Sequence, residues 1–129
     1  MNFPIRVYYE DTDAGGVVYH ANYLCFFERA RTEFLRKVGF SQQRLLADSH
    51  AFVVKNLYID YKMAARLDDL LNVETIVTEL KKATIIFKQI LWREDICLSE
   101  AIVTVASVDL SKMKPLAIPK DIYQGLQAV

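Results

Sequence analysis

The chain has 129 residues, of which 53% are hydrophobic and 12% aromatic. That length predicts one domain that buries roughly two-thirds of its unfolded surface, and the composition excludes a disordered chain. The 16 basic residues balance the 16 acidic ones, so net charge gives no ground for a nucleic-acid partner or an anionic membrane, and no apolar run is long enough to span a bilayer.

In chain order, Pro4 to Tyr9 reads as a first strand, short and rich in Ile, Val and Tyr. The turn Asp11-Thr12-Asp13-Ala14-Gly15-Gly16 follows, where the paired glycines permit positive φ or close backbone approach. A long helix comes next, over Asn22–Val38. Tyr23, Phe26, Phe27, Ala30, Phe34 and Val38 recur at helical spacing and share one face. Glu28, Arg29, Arg31, Thr32, Glu33, Arg36 and Lys37 lie largely off it, with Arg29–Glu33 and Glu33–Lys37 placed to pair weakly. Asn22 suits the N-cap and Gly39 the C-terminal stop. About seventeen residues make a rod of roughly 25 Å, and so aromatic a face needs a broad apolar surface such as a sheet.

Ser41 to Ala47 predicts a short second helix capped by Ser41. The period then becomes strand-like: Phe52–Tyr61, Leu70–Leu80, Ala83–Arg93 and Leu98–Asp109 are β-branched and aromatic runs. Lys81-Lys82 and Glu94-Asp95-Ile96 separate the last three as hairpin turns. Their centres are apolar on both alternations, Ile85 and Phe87 on one and Ile86 and Ile90 on the other. Both sheet faces therefore need cover, one from the long helix and the other from something more, such as a second subunit. Ser111 to Pro115 reads as a loop, and Pro119 to Leu126 as a closing helix with Pro119 in its first turn. Cys25 and Cys97 lie far apart in apolar surroundings and read as buried free thiols of a reducing compartment. The first residues lack the basic-then-apolar pattern of an export signal. A cytoplasmic protein is expected.

The chemistry concentrates in the turn, where two acids, a histidine and a helix N-terminus meet. Arg6-Val7, then four residues, then Thr12-Asp13-Ala14-Gly15-Gly16-Val17-Val18-Tyr19-His20-Ala21-Asn22-Tyr23 resembles the signature of the 4-hydroxybenzoyl-CoA thioesterase family. Within it, Val7 to Arg31, Leu67-Asp68-Asp69 and Lys112-Met113-Lys114-Pro115 resemble the branch encoded beside the Tol–Pal envelope system.

The resemblance implies an α+β hotdog fold, an antiparallel sheet wrapped around a long central helix. It implies hydrolysis of an acyl-CoA, expected to carry a short aliphatic acyl group with longer ones left open. No metal or other cofactor is implied, since coenzyme A enters as part of the substrate. Dimers would pair into a homotetramer with active sites at the dimer interface. The family's catalytic acid falls on Asp13, and the branch's tyrosine and histidine fall on Tyr9 and His20.

A carboxylate can serve hydrolysis as general base or as nucleophile, and a helix N-terminus can hold an oxyanion; the resemblance puts that donor at the His20 N–H. Asp11 and Asp13 are also ordinary turn residues, and Asp11 is read as structural. Tyr9 is equally a core residue alternating with Val7, and His50 receives no role. Lys81, Lys82, Lys112 and Lys114, with Lys62 and Arg66, are candidates for the CoA phosphates, although surface lysines are mostly solvated. GxxxxGK, HExxH and GxSxG patterns are absent. Two other functions stay open: a hotdog hydratase, and a non-catalytic acyl-CoA or acyl-carrier-protein binding module acting with envelope or lipid-synthesis proteins.

Overall fold

The computed structural model describes residues 1–129, apart from the side chain at position 42. The elements run β1 (Asn2–Arg6), a 3-10 turn (Tyr9–Asp11), α1 (His20–Val38), α2 (Gln42–Ala47), β2 (His50–Tyr61), β3 (Leu70–Leu80), β4 (Thr84–Arg93), β5 (Ile96–Asp109), β6 (Lys114–Pro115) and α3 (Lys120–Gln127). The strands form one antiparallel sheet in the order β1-β3-β4-β5-β2, and β6 pairs with β5.

The aromatic stripe of α1 is the reason for this arrangement. Tyr23, Phe26, Phe27, Ala30 and Phe34 are all buried, in one core with Val7 just past β1 and with the sheet residues Leu71, Val73, Ile85, Phe87, Leu91 and Val103. The Phe34 and Phe87 rings meet edge to face with centroids 5.8 Å apart. Emptying any one of these Phe sites would cost about 3–5 kcal/mol. Register shifts between Val54 and Asn56 on β2 and between Val77 and Glu79 on β3 mark extra residues, and such bulges bend and twist their strands. The result is the hotdog arrangement that the resemblance implies.

Several boundaries differ from the sequence reading. β1 ends at Arg6, because the chain tightens into the 3-10 turn and takes Tyr9 out of the sheet. α1 starts at His20 with Tyr19 at its N-cap, so Asn22 lies in the first turn and caps nothing. Gly39 does end the helix, at φ 114°, and Ser41 does cap α2, its Oγ accepting from the Arg44 N–H at 3.3 Å. Pro119 is the N-cap of α3 rather than its first residue. The stretch expected to be a loop after β5 contains β6.

Neither cysteine is buried: Cys25 is exposed and Cys97 half-buried. Arg31, expected off the apolar face, is buried at 8% exposure. Glu33 pairs with Arg36 one turn on, and not with Arg29 or Lys37.

Candidate active site

Asp11 builds the turn that carries the site. It is buried, its Oδ2 accepts from the Tyr8 N–H at 2.9 Å, and its Oδ1 accepts from the Asn22 side-chain amide at 3.1 Å. Its backbone carbonyl accepts from the Tyr19 N–H at 2.9 Å. One carboxylate thus ties the end of β1 to the start of α1, the structural role read for it from sequence.

Asp13 sits at the tip and is exposed. Its backbone N–H donates to the Val17 carbonyl at 2.9 Å, and its carbonyl accepts from the Gly16 N–H at 3.1 Å. Its Oδ1 accepts from the Gly15 N–H at 2.8 Å. Gly16 takes φ 78°, which glycine adopts without strain. No hydrogen bond to Asp13 Oδ2 is found among the described residues, so one carboxylate oxygen is held by the Gly15 N–H and the other is left for another partner.

His20 opens α1, and the helix brings an unusual vacancy with it. No side chain caps the N-terminus, and no acidic residue lies in the first turn. The first N–H groups of a helix lack intrahelical acceptors and carry a partial positive charge. The helix start has no carboxylate of its own, and the bonds of Asp13 to Val17 and of Tyr19 to Asp11 tie it to the Asp13 loop.

An aromatic cluster holds the helix start in place. Tyr61, at the end of β2, donates its hydroxyl to the His20 carbonyl at 2.8 Å. The Tyr61 ring stands edge-on to His20 at 6.5 Å and to Tyr23 at 5.0 Å, and Tyr19 lies 4.5 Å from His20. Burial, followed by the neighbouring Tyr23, raises the Tyr61 pKa, so its hydroxyl stays protonated and donating. The Tyr23 hydroxyl accepts from the Ala65 N–H at 3.0 Å, and Val18 donates its N–H to the Ala65 carbonyl at 2.8 Å. The segment after β2 therefore runs beside the turn, and an isolated bridge between Val17 and Arg66 extends that contact.

The fold thus brings Asp13 and His20 to one junction of turn and helix. Tyr9 stands 84% exposed on the 3-10 turn, and nothing couples its ring to Asp13 or His20 among the described residues. Its expected place as a core residue alternating with Val7 is wrong, because the 3-10 turn interrupts the strand. Lys81, Lys82, Lys112 and Lys114 lie at the far end of the sheet, about 35 Å along β3 from the turn. Lys81 pairs with Glu79 at 3.5 Å, and Lys114 sits on β6 opposite Asp109. Arg66 and Lys62 are nearer the turn. Lys62 is held by Glu100 at 3.1 Å, while Arg66 is exposed.

Tyr61 is the functional neighbour that sequence reading missed. It looked like the last residue of a strand, and only the pairing of β2 with β5 carries it to His20. No group of three or more His, Cys, Asp or Glu suited to a metal ion occurs among the described residues.

This chain is similar along nearly its whole length to known proteins. It is 66% identical over 123 residues to "Acyl-CoA thioesterase YbgC" of Haemophilus influenzae, covering 95% of this chain and 90% of that protein. It is 54% identical over 123 residues to "Acyl-CoA thioester hydrolase YbgC" of Escherichia coli O6:H1, covering 95% of this chain and 92% of that one. Its fold superposes on the crystal structure of a probable thioesterase from Bartonella henselae with a TM-score of 0.87 at 38% identity, covering 92% of this chain and 98% of the other. The family profile described as "Thioesterase superfamily" matches residues 15–99, beginning just past Asp13. With a carboxylate-bearing turn set against an uncapped helix end and these relatives alongside, the chain belongs to the thioesterase superfamily.

Proposed function

We propose that this chain is an acyl-CoA thioesterase in which Asp13 drives attack on the thioester carbonyl and the N-terminus of α1 receives the oxyanion. The observation that carries the reading is the junction itself. A carboxylate with one oxygen anchored by the Gly15 N–H lies in the loop that leads, seven residues on, into a helix start with neither a side-chain cap nor an acid in its first turn. As base, Asp13 Oδ2 takes a proton from water as that water adds to the carbonyl; the C–S bond breaks, the proton passes to the CoA sulfur, and the acid leaves. As nucleophile, Oδ2 itself adds, C–S cleavage releases CoA thiolate and leaves an acyl–Asp13 anhydride, and water then hydrolyses the anhydride to the free acid and the Asp13 carboxylate while its proton goes to the thiolate. The His20 N–H is the proposed oxyanion donor, and removing such a donor costs about 10²–10³ in rate. The His20 imidazole and the Tyr9 hydroxyl are proposed to position the substrate, and Tyr61 holds His20. Carboxylate and helix end supply all the chemistry this scheme needs, so it calls for no metal or other cofactor.

The proposed assembly is a dimer built on β2, paired into a tetramer. Support comes from the sheet order, which leaves the twelve-residue β2 as an edge strand. Long open edges invite a partner strand, and two copies of one strand related by a two-fold axis pair antiparallel. The His50 end of one chain would then lie beside the Tyr61 end of the other. The β5–β6 hairpin, tied to that end by the Leu110 N–H on the Ser49 carbonyl, would bring Lys112 and Lys114 toward the partner's turn. On this geometry those lysines, with Lys81 and Lys82 behind them, meet the CoA phosphates across the interface.

The relatives named as acyl-CoA thioesterases support the acyl-CoA substrate; a short aliphatic acyl group, a cytoplasmic site of action and an acyl carrier protein as an alternative acyl donor are proposed on the resemblance to the branch encoded beside the Tol–Pal system alone. No helix is long and apolar enough to cross a membrane.

The test is kcat/KM on a series of acyl-CoAs for the parent and for Asp13→Asn. The amide keeps the Gly15 hydrogen bond but is a poor base and a poor nucleophile. A loss of at least 10²-fold with an unchanged melt is expected, in line with the usual weight of acid–base catalysis. Near-parental activity would overturn the assignment of Asp13.

A further inference from the structure

The segment 62–69 has no part in the reaction proposed for the turn, although Leu67-Asp68-Asp69 is one of the stretches that carry the family resemblance. It takes the chain from β2, at one edge of the sheet, across the ends of β5 and β4 to β3. The Lys62 and Met63 N–H groups both donate to the Leu98 carbonyl on β5, at 2.9 and 3.1 Å. Asp68 takes φ 69°, a left-handed conformation that aspartate tolerates better than most residues. Its N–H donates to the Val7 carbonyl at 3.1 Å, and the Val7 N–H donates to the Asp69 carbonyl at 2.9 Å. The segment therefore lands where β1 gives way to the turn.

Its middle meets the turn's other end. Ala65 is fully buried. Its carbonyl accepts from the Val18 N–H at 2.8 Å, and its N–H donates to the Tyr23 hydroxyl at 3.0 Å. Val18 stands two residues before His20 and Tyr23 lies in α1, so one residue joins the exit of the turn to the flank of the helix. Arg66 adds a bridge to Val17, whose carbonyl is the acceptor of the Asp13 N–H.

What fixes Ala65 is a pair of side chains, because the segment contains neither helix nor strand of its own. Asp69 Oδ2 accepts from the Arg66 N–H at 2.9 Å and from Arg93 Nη1 at 3.0 Å. The same Nη1 donates to the Ala64 carbonyl at 3.3 Å. Asp69 and Arg93 thus grip the residues on either side of Ala65. Their side chains are only 21% and 26% exposed, which shields the pair from salt, and bonds between ionised partners are the stronger kind.

We propose that Asp69 and Arg93 are positioning residues of the thioesterase reaction: their grip on Ala64 and Arg66 sets Ala65, and Ala65 sets the Asp13 turn against the start of α1. The inference rests on the roles proposed above for Asp13 and the helix N-terminus. Neither side chain bonds Asp13 or His20 among the described residues, so both act through the segment.

The test pairs a positional reading with a kinetic one. Hydrogen exchange over residues 13–23, followed by mass spectrometry on the assembled protein, needs no turnover. Asp69→Ala should speed it on the order of tenfold while exchange over β4 and β5 keeps the parent rate, the mark of local opening. Since misplacement by 1 Å can cost about 10²-fold, kcat on an acyl-CoA should fall on the order of tenfold with KM within about twofold. Asp69→Asn keeps an acceptor and loses the charge, so it should fall between, and it carries the test if Asp69→Ala does not fold. Arg93→Gln should match Asp69→Ala, and Arg93→Lys should recover part of the loss. Asp69→Ala with Arg93→Gln should lose no more than the larger single loss, as expected of two groups in one network. In the Asp13→Asn background Asp69→Ala should leave the single-turnover rate unchanged, because the carboxylate it positions is gone; a merely supporting role would cost the same there as in the parent. Parental exchange over residues 13–23 in Asp69→Ala, or an undiminished loss in the Asp13→Asn background, would overturn the proposal. Parental activity of Asp13→Asn alone would sink the reading of Asp13 instead, and the exchange result would still decide whether the pair sets the turn.

Discussion

Gly15 has no side chain for a reason that belongs to Asp13. A Cβ placed there would stand 3.2 Å from Asp13 Oδ1, the atom that the Gly15 N–H already holds at 2.8 Å. Gly15→Ala should push the carboxylate by a few tenths of an ångström. Since misplacement by 1 Å can cost about 10²-fold, a fall in kcat on the order of tenfold is expected, with little change in melting temperature. Gly16→Ala is the contrast: nothing lies within 4 Å of its Cβ, but φ is 78°, so it should cost stability of about 1 kcal/mol. Measuring kcat and a thermal melt for both separates the two effects.

At this scale the placement of Asp11, Asp13 and His20 on one turn and helix start was legible, because those elements are local. It was silent on Tyr61, whose hydroxyl bond to His20 spans 41 positions, and on Arg31, whose amide partner Gln89 lies 58 positions away. Neither contact has a local signature.

Among the elements, β2 and β5 are joined at one end by a buried polar pair. His50 is 5% exposed and its Nε2 meets Ser107 Oγ, with the Phe52 ring at 5.9 Å. Burial lowers the His50 pKa, and the nearby Asp109 and Asp48 act the other way. With the folded value below the unfolded one of about 6.5, the unfolded chain binds the extra proton first. This contribution to stability is complete above that pH and declines as pH falls from there toward the folded value. Melts from pH 7.5 to 5.0 should show a falling melting temperature, and His50→Gln should flatten that slope. An unaltered slope would assign the dependence to other groups.

His50 received no role from sequence because it looked isolated; the strand register brings Ser107 to it. Helix and strand types were legible from period and residue type. Their ends were not, where a tertiary bond competes: Asn22 reads as a cap by type, yet its side chain bonds Asp11.

For the whole molecule, the outward sheet face raises the question of cover. Strand register lines up Tyr58, Ile102, Lys88 and Ile76 across it, with Tyr58 69% and both Ile102 and Ile76 39% exposed. Ile86 and Ile90, the second apolar alternation of the sequence reading, flank Lys88 on the same strand, and the exposed row through Lys88 supports the proposed pairing of dimers. Sedimentation at micromolar concentration should give a tetramer, and Ile102→Glu should give a dimer with a melt of the isolated dimer near the parent's. A stable monomeric parent would refute the assembly.

The strand order has a further consequence for how the chain is born. β1 pairs with β3 and β2 pairs with β5, so the first half of the polypeptide holds the reactive turn and the aromatic helix but none of the sheet centre. At the usual 5–20 residues per second, the ribosome adds the stretch from Gly39 to Asp109 in roughly 4–14 s. Until that interval ends the surface on which Phe26, Phe27 and Phe34 pack is incomplete, and the nascent chain is expected to expose an aromatic helix face to holding chaperones. Arrested ribosome complexes of increasing length should become protease-resistant in a single step, only after Asp109 has cleared the exit tunnel.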